Sequence, residues 1–129
     1  MSFLKTGLCA AMLAAAVLAT VMMAPAHAAG ALAIGKCGAF GYSFDYRDEP
    51  LASRDALGKC KGHECRVVAK FSRTCAAFAV DGAKPCGAFG WATRTGSKLA
   101  VAQNEALRQC YANGGRDCMI RAFVCDGAR

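Results

Sequence analysis

Histidine is nearly absent from this chain. Two occur in 129 residues, and His27 falls in an N-terminal segment that reads as a leader, which leaves His63. A Cys2His2 metal site is therefore unavailable, and any imidazole base would have to be His63. The close C-x-x-C spacing of structural zinc sites is also missing; the short spacings are Cys60-x4-Cys65, Cys110-x7-Cys118 and Cys118-x6-Cys125. No consecutive Lys or Arg residues form a polybasic tail. Gly35, Gly38 and Gly41 match neither the G-x-G-x-x-G fingerprint nor a P-loop, and they read as close-packed positions within strands. No cofactor or metal is expected.

The first segment supplies a targeting signal. Lys5 is followed by an uncharged apolar run from Gly7 to Met23, and the segment ends in Ala26-His27-Ala28. Small-x-small after a short apolar run is what signal peptidase reads. The run is shorter than the roughly 20 residues a bilayer core requires, and Pro25 follows it. Residues 1–28 are thus expected to be a signal peptide and 29–129 a single domain. Cys9 lies at the start of the apolar run rather than after it, the wrong place for a lipoprotein cysteine, and no transmembrane segment is expected after processing. The product would be exported, to a periplasm or out of the cell.

Of nine cysteines, Cys9 lies in the leader, leaving Cys37, Cys60, Cys65, Cys75, Cys86, Cys110, Cys118 and Cys125. An even set in a short exported chain reads as a disulfide framework. Sixteen basic residues against nine acidic ones give the chain a net charge of +7, of which Lys5 is one unit. That charge favours anionic partners without selecting one.

An internal repeat organises the rest. Cys37-Gly38-Ala39-Phe40-Gly41-Tyr42 recurs as Cys86-Gly87-Ala88-Phe89-Gly90-Trp91. Ala52-x-x-Asp55-Ala56-Leu57-x-x-Cys60 recurs as Ala102-x-x-Glu105-Ala106-Leu107-x-x-Cys110. Ala31-Leu32-Ala33-Ile34 matches Ala77-Phe78-Ala79-Val80, and β-rich runs follow Cys65 and Cys118. The expected fold is α+β, a tandem pseudo-repeat of two β-β-α-β units over 31–71 and 76–125, with the helices on one side of an antiparallel sheet.

Ala52, Ala56, Leu57 and Cys60 form a helical stripe, with Leu99, Ala102, Ala106, Leu107 and Cys110 its counterpart. Asp48 or Glu49 with Pro50 would open the first helix, Ser97 would cap the second, and Asn113-Gly114-Gly115 would close it. Phe40, Tyr42, Phe44 and Tyr46 alternate along a strand and share one face, with Phe89 and Trp91 equivalent; Ala39 and Gly41 take the other, where a helix can approach closely.

Eight cysteines permit about a hundred pairings. Pseudo-symmetry suggests local bonds Cys60–Cys65 and Cys110–Cys118, each stapling a helix to the next strand. Cys37 and Cys86, as symmetry equivalents, could meet near a pseudo-twofold axis, leaving Cys75 with Cys125.

The combination of A-x-A-[IV], G-A-F-G-[YW], a helix ending in A-L-x-x-C, and Cys75-Ala76-Ala77-Phe78-Ala79-Val80 with closing Val124-Cys125-Asp126 resembles the bacterial exported family called domain of unknown function 4189. The resemblance covers Ala31 to Asp126. It implies export, cysteine content and a repeated domain, and carries over no reaction or catalytic residue. Set against that family, Cys37 and Cys86 look like additions beside its glycine-rich stretch, which speaks for pairing them together.

No hydrolytic constellation is evident. His63 sits in a short loop between Cys60 and Cys65 and reads as a solvated turn; Asp45, Asp48 and Glu49 read as complementing a helix N-terminus. Tyr42, Tyr46 and Trp91 could form a stacking platform if their sheet face were open, although such aromatics usually pack in a core. Lys59, Lys61 and Arg66, with Arg108, Arg116 and Arg121, suggest two positive patches. The expected function is a non-enzymatic binding module for a protein or an anionic envelope component, with nucleic acid not expected as the physiological partner. The alternatives are a small cell-envelope hydrolase and an inhibitor of an extracellular enzyme.

Overall fold

The structure, a computed structural model, describes residues 28–127. The expected leader lies outside the described residues apart from Ala28. Chain order is β1 (Ala29–Ile34), a single 3-10 turn (Lys36–Gly38), β2 (Phe40–Tyr46), α1 (Glu49–Lys59), β3 (Arg66–Phe71), β4 (Thr74–Asp81), β5 (Phe89–Thr95), α2 (Leu99–Ala112) and β6 (Cys118–Asp126). The strands form two antiparallel three-stranded sheets, ordered β2-β1-β3 and β5-β4-β6, where one sheet was expected.

The side-chain alternation of the central strands explains the layering. On β1, Ala31 and Ala33 pack with Ala52, Ala56 and Cys60 on α1. On β4, Ala77 and Ala79 pack with Ala102, Ala106 and Cys110 on α2. The larger residues point the other way: Leu32, Ile34, Ala69 and Phe71 of the first sheet meet Phe78, Val80, Ala122 and Val124 of the second in one core. The order of layers is therefore helix, sheet, sheet, helix. Each helix covers one face of its own sheet, and the two sheets bury the faces between them.

Small residues set the helix-to-sheet distance. A Cβ on Gly41 would lie 2.2 Å from the Ala56 carbonyl oxygen, and one on Gly90 would lie 2.4 Å from that of Ala106. The seam on α1 is narrow: Ala52 and Ala56 are buried, whereas Leu57, expected in the stripe, is 40% exposed. Ser43, buried beneath α1, donates its hydroxyl to the Ala52 carbonyl at 2.6 Å, so this polar group is satisfied. Asp48 caps α1, its Oδ1 accepting from the Leu51 amide at 2.9 Å, with Pro50 in the first turn. On α2 the capping position is Lys98 rather than Ser97, with no side-chain cap; Asn113 ends that helix and Gly114 takes a left-handed backbone (φ 100°).

Three bulges re-aim side chains. Ala31 pairs with Ser43 but Ala29 pairs with Tyr46, so β2 carries one extra residue, and Asp45 there has φ 58°. On β3, Ala69 pairs with Leu32 and Val67 with Ala33, which makes Val68 the extra residue. On β6, Ala122 pairs with Phe78 and Ile120 with Ala79, which makes Arg121 the extra residue. Beyond this last bulge Ile120 and Cys118 turn toward α2, and Cys118 can reach Cys110. The first bulge is tied to the far end of the chain, since the Asp45 amide donates to Oδ1 of fully buried Asp126 at 2.7 Å.

Candidate functional site

At one end of the two sheets, the turn after β1 meets the loop after β4. Gly35 allows the first of these to press on the loop before β3: a Cβ there would lie 2.7 Å from the His63 carbonyl oxygen and 2.8 Å from Cys65 Sγ. The Lys36 amide donates to that same His63 carbonyl at 2.9 Å. Cys37 follows in a left-handed conformation (φ 59°, ψ 37°), and Gly38 has φ 77°. Gly35 and Gly38 thus belong to a turn rather than to strands, as had been expected; only Gly41 lies within one.

The opposite loop is organised by Asp81. Its Oδ1 accepts from the Ala83 amide at 3.0 Å and its Oδ2 from the Arg116 amide at 3.2 Å, while the Gly82 amide donates to the Asp117 carbonyl at 2.8 Å. Burial would raise the Asp81 carboxyl, but hydrogen bonds from the Arg116, Ala83, Lys84 and Asp117 backbone outweigh it and hold the group below its ordinary value. A carboxyl depressed in the folded state adds stability that is present above the unfolded value of about 3.9 and lost as pH falls through the folded one. Asp81→Asn is therefore expected to lower the thermal midpoint at pH 7 and to flatten its fall between about pH 5 and pH 2 relative to the unsubstituted chain. Parallel acid limbs in the two melting series would contradict this role.

The two loops are joined by Cys37–Cys86, with the sulfurs 2.00 Å apart. Between them lies a cleft of about 520 Å³. Ile34, Phe78, Pro85 and Phe89 give it an apolar lining, and Lys36, Glu64 and Arg66 bring charge to it. Lys36 Nζ is paired with Glu64 Oε1 at 2.9 Å. Arg66 has no carboxylate partner among the described residues, so its guanidinium is free to take an external anion.

The other cysteines pair as Cys60–Cys65, Cys75–Cys125 and Cys110–Cys118. The three aromatics considered as a platform do not share a surface. Tyr42 is half-buried in a ladder with Phe40 and Phe44, at ring distances of 6.3 and 6.5 Å, beside the core between the sheets. Trp91 borders the same core from the second sheet, its amide donating to Gln109 Oε1 at 3.2 Å. Tyr46 lies on the α1 side, because the extra residue at Asp45 reverses the alternation.

There Tyr46 is held by Asp55. Desolvation and then the hydrogen bond to Asp55 raise the Tyr46 hydroxyl above its usual value. Asp55 is lowered chiefly by Lys59, whose ammonium lies 2.6 Å from its Oδ2, and Lys59 is raised by the same contact. Lys59 is thus engaged along its own helix, whereas Lys61 and His63 are exposed in the Cys60–Cys65 loop. Of the three cations proposed as a patch, only Arg66 lines the cleft. Residue-by-residue reading missed Ile34, Phe78, Pro85, Phe89 and Glu64, which come together only through the fold; the one available signal was the Cys37 and Cys86 pair.

The observations define a class: a small α+β domain of two sheets and two helices, held by four disulfides, with a cleft beside the bridge between its sheets. More particularly, the chain belongs to the family described as Domain of unknown function (DUF4189), whose model matches residues 29–125. Relatives include an uncharacterised protein of Mycobacterium bovis and one of Mycobacterium tuberculosis, each 37% identical over 79 residues, 61% of this chain and 54% of theirs. The chain spans about half the length of these curated relatives. No solved structure matches it. Among the described residues, no helix is long and apolar enough to cross a membrane.

Proposed function

We propose that this is an exported, non-enzymatic binding module that takes an anionic component of the cell envelope at the Cys37–Cys86 cleft. The observation that carries the reading is the pairing of an apolar lining with an arginine that no carboxylate neutralises among the described residues. An amphipathic anion, such as a lipid with an acidic headgroup, would satisfy both. The net positive charge supports approach to such a surface, and four disulfides suit an oxidising compartment.

The scaffold behind the cleft is read as two copies of one β-β-α-β unit, 31–71 and 76–125. Support comes from the bulges at Val68 and Arg121, each three residues after the cysteine, Cys65 or Cys118, that staples a helix to its next strand. The equivalent helix-facing glycines, Gly41 and Gly90, add to it.

The test is sedimentation with vesicles of phosphatidylglycerol against vesicles of phosphatidylcholine. A basic residue near an anionic surface contributes about 1 kcal/mol, so Arg66→Ala is expected to weaken binding to the acidic vesicles about five-fold, and raised salt to weaken it further. Equal binding to both vesicle types, or an Arg66→Ala variant that binds like the parent, would point to a protein partner or another surface.

A further inference from the structure

The four disulfides differ in exposure. Cys75 and Cys110 are fully buried and Cys60 is 8% exposed, so three of the bridges have a shielded member. Cys37 and Cys86 are both exposed. Their role in the fold differs too. Cys60–Cys65 and Cys110–Cys118 are local, and Cys75–Cys125 links residues directly opposite each other on β4 and β6. Cys37–Cys86 joins the turn of one sheet to the loop of the other.

Its surroundings favour thiol chemistry. Arg66, which no carboxylate pairs among the described residues, lines the same cleft, so positive charge is available to stabilise a departing thiolate, whereas Lys36, next to Cys37 in the chain, is itself paired with Glu64. Cys37 is held in a left-handed backbone that residues with a Cβ rarely adopt, next to Gly38 in a similar one. Release of its sulfur would let this turn leave that conformation.

We propose that Cys37–Cys86 is an exchangeable disulfide, the site at which an external dithiol reductant acts to unfasten the cleft. A thiolate of the reductant attacks Cys86 Sγ; the bond to Cys37 breaks, and Cys37 leaves as a thiolate at the cleft that Arg66 lines. The second thiol of the reductant, deprotonated, then attacks its own sulfur in the mixed disulfide and expels the Cys86 thiolate. Two electrons pass to the protein, its two thiolates take up the two protons, and the reductant ends as a disulfide. The walls of the cleft are then no longer covalently joined. The proposal is independent of what the cleft binds.

The experiment uses the folded, fully oxidised chain. It is equilibrated with rising dithiothreitol at neutral pH and quenched with N-ethylmaleimide, and the labelled cysteines are mapped by peptide mass spectrometry, with circular dichroism followed in parallel. Cys37 and Cys86 are expected to label equally at a dithiothreitol concentration at least ten-fold below that required for the other six, before the dichroism changes. Labelling of all eight together, labelling of another pair first, or no labelling until the chain unfolds each overturns the proposal.

Discussion

Gly41→Ala is expected to destabilise the domain by about 3 kcal/mol, at the upper end for overpacking. The added Cβ would stand 2.2 Å from the Ala56 carbonyl oxygen, 2.6 Å from the Cys60 amide nitrogen and 2.8 Å from the Lys59 carbonyl carbon. All three are backbone atoms, so no rotamer change can relieve the contact; α1 itself has to move off the sheet. That motion opens the seam formed by Ala31 and Ala33 with Ala52 and Ala56, where small side chains leave little reach to refill a gap. It also shifts Cys60, whose bond to Cys65 ties the helix end to the loop before β3. For a domain of this size the thermal midpoint should fall by roughly 12 to 24 °C. Gly58 supplies the control: it lies in the same helix with nothing within 4 Å of an added Cβ. Gly58→Ala should raise stability by about 0.5 to 1 kcal/mol through helix propensity. Similar losses from both substitutions would show that close approach is not what Gly41 provides.

The close approach was readable in advance because alternation along β2 puts Gly41 on the face opposite Phe40 and Tyr42, and a strand position without a side chain marks something packed against it. Two of the four cysteine pairs, Cys60–Cys65 and Cys110–Cys118, follow from a similar local logic, with one cysteine at a helix end and the next at the start of a strand. What could not be read was which surface the large residues of β1 and β4 would meet. Leu32 and Phe78 announce a buried face, yet the same pattern serves one sheet under a further layer or two sheets against each other. Tyr46 was misplaced for a sharper reason. A bulge adds a single residue, and here Asp45 takes the left-handed conformation without the glycine or asparagine that would have signalled it. One extra residue reverses every side chain beyond it, so Tyr46 moved from the expected aromatic face to Asp55. The cleft was hidden for lack of any local pattern. Ile34, Phe78 and Phe89 come from three strands in two sheets, and each is an ordinary core-type residue in its own segment.

Cys75→Ala with Cys125→Ala is expected to cost about 4 kcal/mol, roughly twice the loss from Cys60→Ala with Cys65→Ala. The difference follows from the length of chain each bridge closes, a separation of 50 residues against 5. A cross-link restricts the unfolded chain more when it joins more distant residues, although only logarithmically, which gives about 4 against about 2 kcal/mol. Cys37–Cys86 overlaps the Cys75–Cys125 loop without lying inside it, so it offers no shorter path between Cys75 and Cys125 and leaves most of the constraint in place. Native contacts act in the same direction. Cys75 is fully buried and faces Cys125 across the β4–β6 ladder, so its removal also loosens packing at the start of β4, the central strand of the second sheet. Urea unfolding of the two double variants under one set of conditions measures both losses. Equal midpoints would mean that loop closure contributes little and that the bridges act through local geometry. A larger fall for Cys75 and Cys125 would identify that bridge as the staple on which the second sheet depends, leaving the exposed Cys37–Cys86 bond as the one that can open while the core stays closed.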